Sequence, residues 1–188
     1  MDLLKAVNAI LPKLGEHPVT SLDSRSPTLG IILPEIDAQI DLLLTPGWWF
    51  NKFEDVDLFP NSEGQIDVPE DTLDFVPNAQ YDDIVQRDEL FYNGKTRSFV
   101  FPVGSKITGT LTQRLGFEQL PEPAANFVLY SALITIYATD IGLEQVVQLW
   151  RQYAQQAQAN MEQAHLRHRR YTIKSSRRYM KLRRAMRG

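Results

Sequence analysis

The stretch Thr45–Phe59, "TPGWWFNKFEDVDLF", marks the point at which the hydrophobic pattern of the chain changes. Before it, apolar residues recur every three or four positions, which is the period of an amphipathic helix. After it, as far as about Thr112, short β-prone runs alternate with turn residues, which is typical of strands. The helical period returns after "LGFEQLPEP", Leu115–Pro123. This order predicts an α+β fold in which two N-terminal and two C-terminal helices form a bundle with an inserted antiparallel β subdomain.

The predicted boundaries follow from the same pattern. A single domain is predicted over residues 1–164, with helices in 1–47 and 121–164 and the β insertion in 48–120. The first helix is predicted over Leu3–Leu14, where Gly15 is a fitting C-cap and Pro12 shortens the last turn. The second is predicted over Leu29–Leu44, with a kink or a restart at Pro34.

Two helices are predicted after the β insertion. The apolar run Phe127–Ala138 has twelve residues, whereas a membrane span needs about 18–20, so we interpret it as a buried helix that opens at Pro123. Its predicted apolar face holds Phe127, Tyr130, Ile134 and Tyr137. The last helix is predicted from near Leu143 to about Tyr171. Its predicted apolar face holds Val146, Val147, Trp150, Ala154, Ala157 and Met161.

The clearest hairpin pattern is "DELFYNGKTRSFVF", Asp88–Phe101. Asn93 and Gly94 stand between two β-prone runs, and this pair favours a type I′ turn because both residues tolerate positive φ. Further strands are predicted in "QIDVP", Gln65–Pro69, and "KITGTLT", Lys106–Thr112.

Charge is distributed unevenly along the chain. Of 20 Lys and Arg, the end of the chain, His165–Gly188, holds eight Arg and two Lys and none of the 23 acidic residues. The remaining ten basic residues give residues 1–164 a formal charge of −13, against +10 for the end. Such asymmetry indicates a partner, which could be nucleic acid, an anionic membrane surface, an acidic protein or another copy of this chain.

The basic C-terminal tail, residues 165–188, is predicted to dock on a partner. "TIKSS", Thr172–Ser176, is a poor helix former, and a second short amphipathic helix is predicted at about Arg177–Arg187. The predicted docking residues are Arg167, Arg169, Arg170, Lys174, Arg177, Arg178, Tyr179, Lys181, Leu182, Arg183, Arg184, Met186 and Arg187.

No residue pattern indicates catalysis or a cofactor. The chain has no cysteine, which excludes disulfides, zinc–thiolate sites and a thiol nucleophile. His165 and His168 could share a helix face, but the flanking arginines repel a metal cation. Asp82-Asp83 and Glu54-Asp55-Asp57 match no catalytic or calcium-binding pattern and are interpreted as surface acids. We therefore predict no catalytic residue, no metal, no cofactor and no enzymatic activity, and we see no secretory signal.

The three consecutive aromatic rings of "GWWFN", Gly47–Asn51, allow two interpretations. Alternate rings fill a cleft between the helical and β parts, or one ring is an exposed anchor for a partner, since aromatic residues are enriched in interface hot spots.

Three motifs, in order and spacing, resemble the tail tubular protein A family of short-tailed bacteriophages across about Leu4–Met161. They are "AVNAILPKLGEHPVTSL" at Ala6–Leu22, "GWWFN", and "GFEQLPE" at Gly116–Glu122. The resemblance implies that the shared motif residues define the fold and do not form a ligand site. They include Asn8, Gly15, Gly47, Trp48, Phe50, Asn51, Phe117, Glu118 and Pro121. The double Trp, Pro34 and the basic tail depart from the family pattern.

The resemblance implies a head-to-tail adaptor without catalytic activity. Members form a dodecameric ring beneath the portal protein, carry the tail nozzle protein and help to anchor the fibres, and genomic DNA passes through the ring without specific binding. It implies a protein of the virion tail, assembled in the host cytoplasm, with no membrane partner. The alternative is a cytosolic nucleic-acid-binding protein that uses the basic tail, and its DNA affinity would fall steeply with salt.

Overall fold

The computed structural model describes residues 1–23, 26–140, 142 and 145–168. The α-helices are α1 (Leu3–Ile10), α2 (Leu29–Leu44), α3 (Glu122–Asp140) and α4 (Gln145–His168). The strands are β1 (Lys52–Leu58), β2 (Thr72–Pro77), β3 (Ile84–Arg87), β4 (Leu90–Asn93) and β5 (Ile107–Gln113). Helices and antiparallel sheets are both present, so the predicted α+β class is confirmed.

The chain divides into two compact units. Among the described residues, the helical unit contains Met1, 3–32 and those from Pro121 to His168, and the β unit contains Leu33–Leu120. The single domain over 1–164 stays a prediction.

The helical unit begins as the sequence predicts. α1 ends at Ile10 and a 3₁₀ helix, Leu11–Leu14, follows with Pro12 in its first turn, where the missing N–H costs little. Gly15 has a φ of 81°, and its N–H donates to Pro12 O while Glu16 N donates to Leu11 O. This is a Schellman motif, and glycine suits it because the position requires positive φ.

The core of the helical unit lies where α3 packs against α4. The Tyr137 and Trp150 rings meet edge to face at 5.0 Å. On α4, the predicted apolar face is confirmed for the five buried residues Val147, Trp150, Ala154, Ala157 and Met161. The predicted face of α3 is wrong except at Tyr137. The buried residues of α3 are Ala124, Ala125, Val128, Leu129, Ala132, Leu133, Ile136 and Tyr137. The prediction failed because apolar residues lie on several sides of this helix, so their spacing does not identify the buried face.

A kink or a restart was predicted at Pro34. The restart is wrong, since one helix runs from Leu29 to Leu44 with Pro34 inside it, and the kink stays a prediction. A proline removes one helix hydrogen bond, the bond to the carbonyl four residues earlier. Here that carbonyl belongs to Gly30, near the start of the helix.

The main sheet of the β unit has the strand order β1-β5-β2, and both pairs are antiparallel. β5, predicted from "KITGTLT", is the central strand. Its residue Leu111 lies between Phe53 and Phe75, and a bulge interrupts β1 between Phe53 and Val56. The core of this unit is formed by Ile66, Phe75, Ile84, Phe91, Phe101, Ile107 and Leu111.

The predicted hairpin around Asn93-Gly94 is wrong. β4 pairs with β3 across the turn at Asp88, whose φ is 54°, and reaches Ser98 through one isolated bridge. Gly94 instead allows close backbone approach, because a Cβ there would lie 3.0 Å from Asp83 O. "QIDVP" also forms only isolated bridges, from Gln65 to Val100 and from Asp67 to Leu90.

α4 carries the chain to His168, and Arg167 in its last turn is exposed. The predicted continuation to Tyr171, the helix at Arg177–Arg187 and the docking residues from Arg169 onward lie outside the described residues. Within the described part of the chain, no helix combines the length and apolar character that crossing a membrane requires.

Candidate functional site

Asn8 holds the loop that follows the first helix. Its amide Nδ2 donates to Val19 O at 2.9 Å, and Val19 N donates to Asn8 Oδ1 at 2.8 Å. A side-chain amide has both a donor and an acceptor, so it can pair with a backbone peptide group as a neighbouring strand would. Gly15 thus forms the turn that ends the 3₁₀ helix, and Asn8 holds the loop after this turn at Val19.

Asn51 closes the end of α2 and ties it to β5. Its side chain is completely buried. Nδ2 donates to Leu44 O at 3.1 Å and to Gln113 O at 2.9 Å, while Oδ1 accepts from Trp48 N at 2.7 Å. Gly47, with a φ of 77°, makes the turn between helix and strand possible.

The rings of Trp48, Trp49 and Phe50 are all partly buried. Trp48 Nε1 donates to Leu43 O at 2.6 Å, and the Trp49 and Phe50 rings meet edge to face at 4.8 Å. None of the three stands out as an exposed anchor, and the predicted filling of a cleft between the helical and β parts stays a prediction.

The third motif contains a short 3₁₀ helix, Phe117–Gln119. Phe117 is buried, Glu118 is exposed, and Gly116 N donates to Gln119 Oε1 at 2.9 Å. Pro121 O accepts from Ala125 N in the first turn of α3. The motif residues are therefore dispersed along the chain, and the side chains of Asn8, Trp48 and Asn51 each hydrogen-bond to backbone atoms.

Three of the five predicted surface acids, Asp57, Asp82 and Asp83, are paired with lysines. Asp83 lies 2.5 Å from Lys95 Nζ, which also lies 3.9 Å from Asp82. Asp57 accepts from Lys106 Nζ at 2.6 Å and from Thr108 Oγ1 at 2.5 Å. These hydrogen bonds, with the lysine bond the larger cause, lower the pKa of Asp57, and the Lys95 bond lowers the pKa of Asp83. Among the described residues, no group of three or more His, Asp and Glu could hold a metal ion.

An acidic cavity of about 460 Å³ opens on the β unit. Its lining contains five carboxylates: Asp67, Glu70, Asp71, Asp88 and Glu89. No Lys or Arg is among the described residues that line it.

A groove of about 360 Å³ lies between α3 and α4 in the helical unit. Its lining residues are Glu122, Pro123, Asn126 and Tyr130 from α3 and Tyr153, Gln156, Ala157 and Asn160 from α4. The ring centroids of Tyr130 and Tyr153 lie 5.3 Å apart. Sequence reasoning missed this groove, although the run of glutamines along α4 was visible, and it missed the acidic cavity because its acids come from two distant segments.

Comparison with known proteins identifies the class. The chain matches the sequence model for tail tubular protein over residues 4–171. It is 28% identical over 185 residues to "Tail tubular protein A" of Klebsiella phage KP34, covering 98% of each chain. Both matches describe structural proteins of a bacteriophage tail rather than enzymes. The chain belongs to the tail tubular protein family, so the resemblance drawn from its three motifs is confirmed.

Proposed function

We propose that this phage tail protein is the head-to-tail adaptor of its virion. Copies of the chain, twelve in number, form a closed ring that joins the portal protein to the tail nozzle protein, with tail fibres as further partners. The observation that supports this proposal is the family match, which extends over residues 4–171 and leaves little of the chain for another role. Assembly takes place in the host cytoplasm, and no membrane takes part.

Electron microscopy of the purified chain mixed with its portal protein tests the ring. The expected images show a twelve-fold ring on the portal. Chains that stay single and bind DNA with an affinity that falls steeply as salt rises would favour the nucleic-acid-binding alternative instead.

DNA passes through this ring without being gripped. Residues 1–164 have a formal charge of −13, and the β unit carries a cavity with five carboxylates. Carboxylates facing the channel would repel the DNA phosphates and so lower friction. In the assembled ring we expect a neutral or acidic channel wall, and a wall of Lys and Arg would contradict this proposal.

The basic tail, residues 165–188, docks on protein. Ten positive charges per copy inside the channel would add strong phosphate contacts around the ring. The same charges complement the acidic residues 1–164 of a neighbouring copy or an acidic surface of the portal.

Deleting Thr172–Gly188 tests the tail. The truncated chain is expected to keep the circular dichroism spectrum of the full chain but to lose stable attachment to portal-bearing heads. Replacing the same residues with a scrambled sequence that keeps their seven positive charges separates the effect of charge from that of sequence. Tails completed equally well by the truncated and full-length chains would show that the tail is dispensable.

A further inference from the structure

We propose that the groove between α3 and α4 is the surface on which a second copy of this chain packs. This inference rests on the proposed ring and assigns one of its contacts to the helical unit.

The groove combines apolar and hydrogen-bonding groups, as protein interfaces do. Tyr153 lines the groove on its α4 side, and Leu149 stands four residues earlier on the same helix face; the two are 45% and 44% exposed. Tyr153 packs against Tyr130 of α3. Amide side chains of Asn126, Gln156 and Asn160 surround these apolar groups and can bond to a partner.

The groove is also nearly free of net charge. Glu122 is the charged residue of its lining, and its Oε2 accepts from the amino group of Met1 at 3.2 Å. Along residues 145–164 of α4, the charged residues are Arg151 and Glu162, which cancel. This surface is therefore neutral within a segment, residues 1–164, whose formal charge is −13.

Charge decides which occupant fits. DNA requires cations that face its phosphates, and no Lys or Arg is among the described lining residues. The Arg-rich tail requires carboxylates, and the groove offers Glu122, which already pairs with Met1. Two acidic copies repel one another wherever carboxylates meet, whereas a neutral amide surface permits close approach. The occupant is therefore an uncharged surface of a second copy.

A single added charge tests the contact. Gln156→Glu keeps the size of the side chain and places a carboxylate in the groove, and Asn160 can turn its amide to donate to it. The matched control is Gln148→Glu, an exposed glutamine of the same helix that does not line the groove. Gln156→Glu is expected to raise the concentration at which rings form by roughly tenfold or more, equivalent to about 1.4 kcal/mol, because a carboxylate buried against an uncharged surface has no charge partner. Gln148→Glu is expected to assemble as the wild type does.

Photo-cross-linking identifies the occupant. The photoreactive amino acid p-benzoylphenylalanine in place of Tyr153 keeps an aromatic ring in the groove. Irradiation of assembled tails is expected to give a product with twice the mass of the chain. A product that joins the chain to a different virion protein would overturn the assignment.

The two proposals fail in different ways. If wild-type chains form rings and both glutamate variants form them equally well, the groove is not the contact but the ring remains. If wild-type chains form no ring, alone or on the portal, the adaptor proposal fails and this inference fails with it.

Discussion

Asparagine side chains hold backbone groups in both units, and Asn8 of the helical unit and Asn51 of the β unit differ in reach. Asn8 bonds to Val19, eleven residues away, and is partly buried. Asn51 is completely buried and bonds to Gln113, 62 residues away. The first closes a local loop, whereas the second joins a helix end to the central strand of a sheet. At Asn51 the β unit therefore has a side-chain bond between segments that are far apart in the sequence.

The largest expected effect is that of Asn51→Ala. The change leaves Trp48 N, Leu44 O and Gln113 O without the side-chain partner they have in the folded protein. Because a buried polar group without a partner costs about 1–3 kcal/mol, we expect a loss of roughly 3 kcal/mol or more in the free energy of unfolding. Urea unfolding followed by circular dichroism measures it. If Asn51→Ala lowers the free energy of unfolding by less than Asn8→Ala does, the buried asparagine is not the more important of the two.

Glycine substitutions are expected to have opposite signs in the two units. At Gly109 on β5, a Cβ would lie 2.6 Å from both Phe75 Cζ and Val76 O, so Gly109→Ala is expected to destabilise the protein by about 1–3 kcal/mol. At Gly30 on α2, a Cβ would meet nothing within 4 Å, so Gly30→Ala is expected to stabilise it by about 0.5–1 kcal/mol. Thermal unfolding of both variants provides the test, and a shift of the same sign in both would contradict it.

Asn8→Ala is expected to cost less than Asn51→Ala. The site is partly buried, so water can replace the lost bonds to Val19 N and O, and the expected loss is about 1 kcal/mol. The loop should also become more accessible, and limited proteolysis near His17–Thr20 reports that directly. Unchanged proteolysis together with unchanged stability would show that this amide pair contributes nothing.

Local patterns were enough to predict much of the helical unit. The apolar period of α4 identified all five of its buried residues, and Pro12 and Gly15 marked the end of the first helix. The face of α3 was not predictable from spacing, because large apolar residues such as Phe127, Tyr130 and Ile134 also lie on its less buried side.

The β unit was predicted less well because turn chemistry alone does not decide which neighbouring segment pairs with a strand. Asn93-Gly94 has the local sequence of a tight hairpin, yet β4 pairs with β3, and Gly94 is needed for its close approach to Asp83. The two surfaces to which function is assigned were missed for a related reason. The groove needs two helices side by side, and the acidic cavity combines residues 67–72 with residues 86–89.

The smallest expected effect is a pH dependence from Asp57 on β1. Hydrogen bonds from Lys106 and Thr108 lower its pKa in the folded protein. A carboxylate with a lowered pKa stabilises the folded state above its unfolded pKa of about 3.9, and this stabilisation disappears as the pH falls through the folded pKa. Asp57→Asn should therefore lower the urea midpoint at pH 7, and its difference from wild type should shrink progressively below about pH 4.

Glu54→Gln on the same strand is the control for removing a negative charge. Because Asp57 is exposed, salt should also reduce the effect. A difference that stays constant from pH 7 down to about pH 2 would mean that the ion pair with Lys106 does not stabilise the β unit.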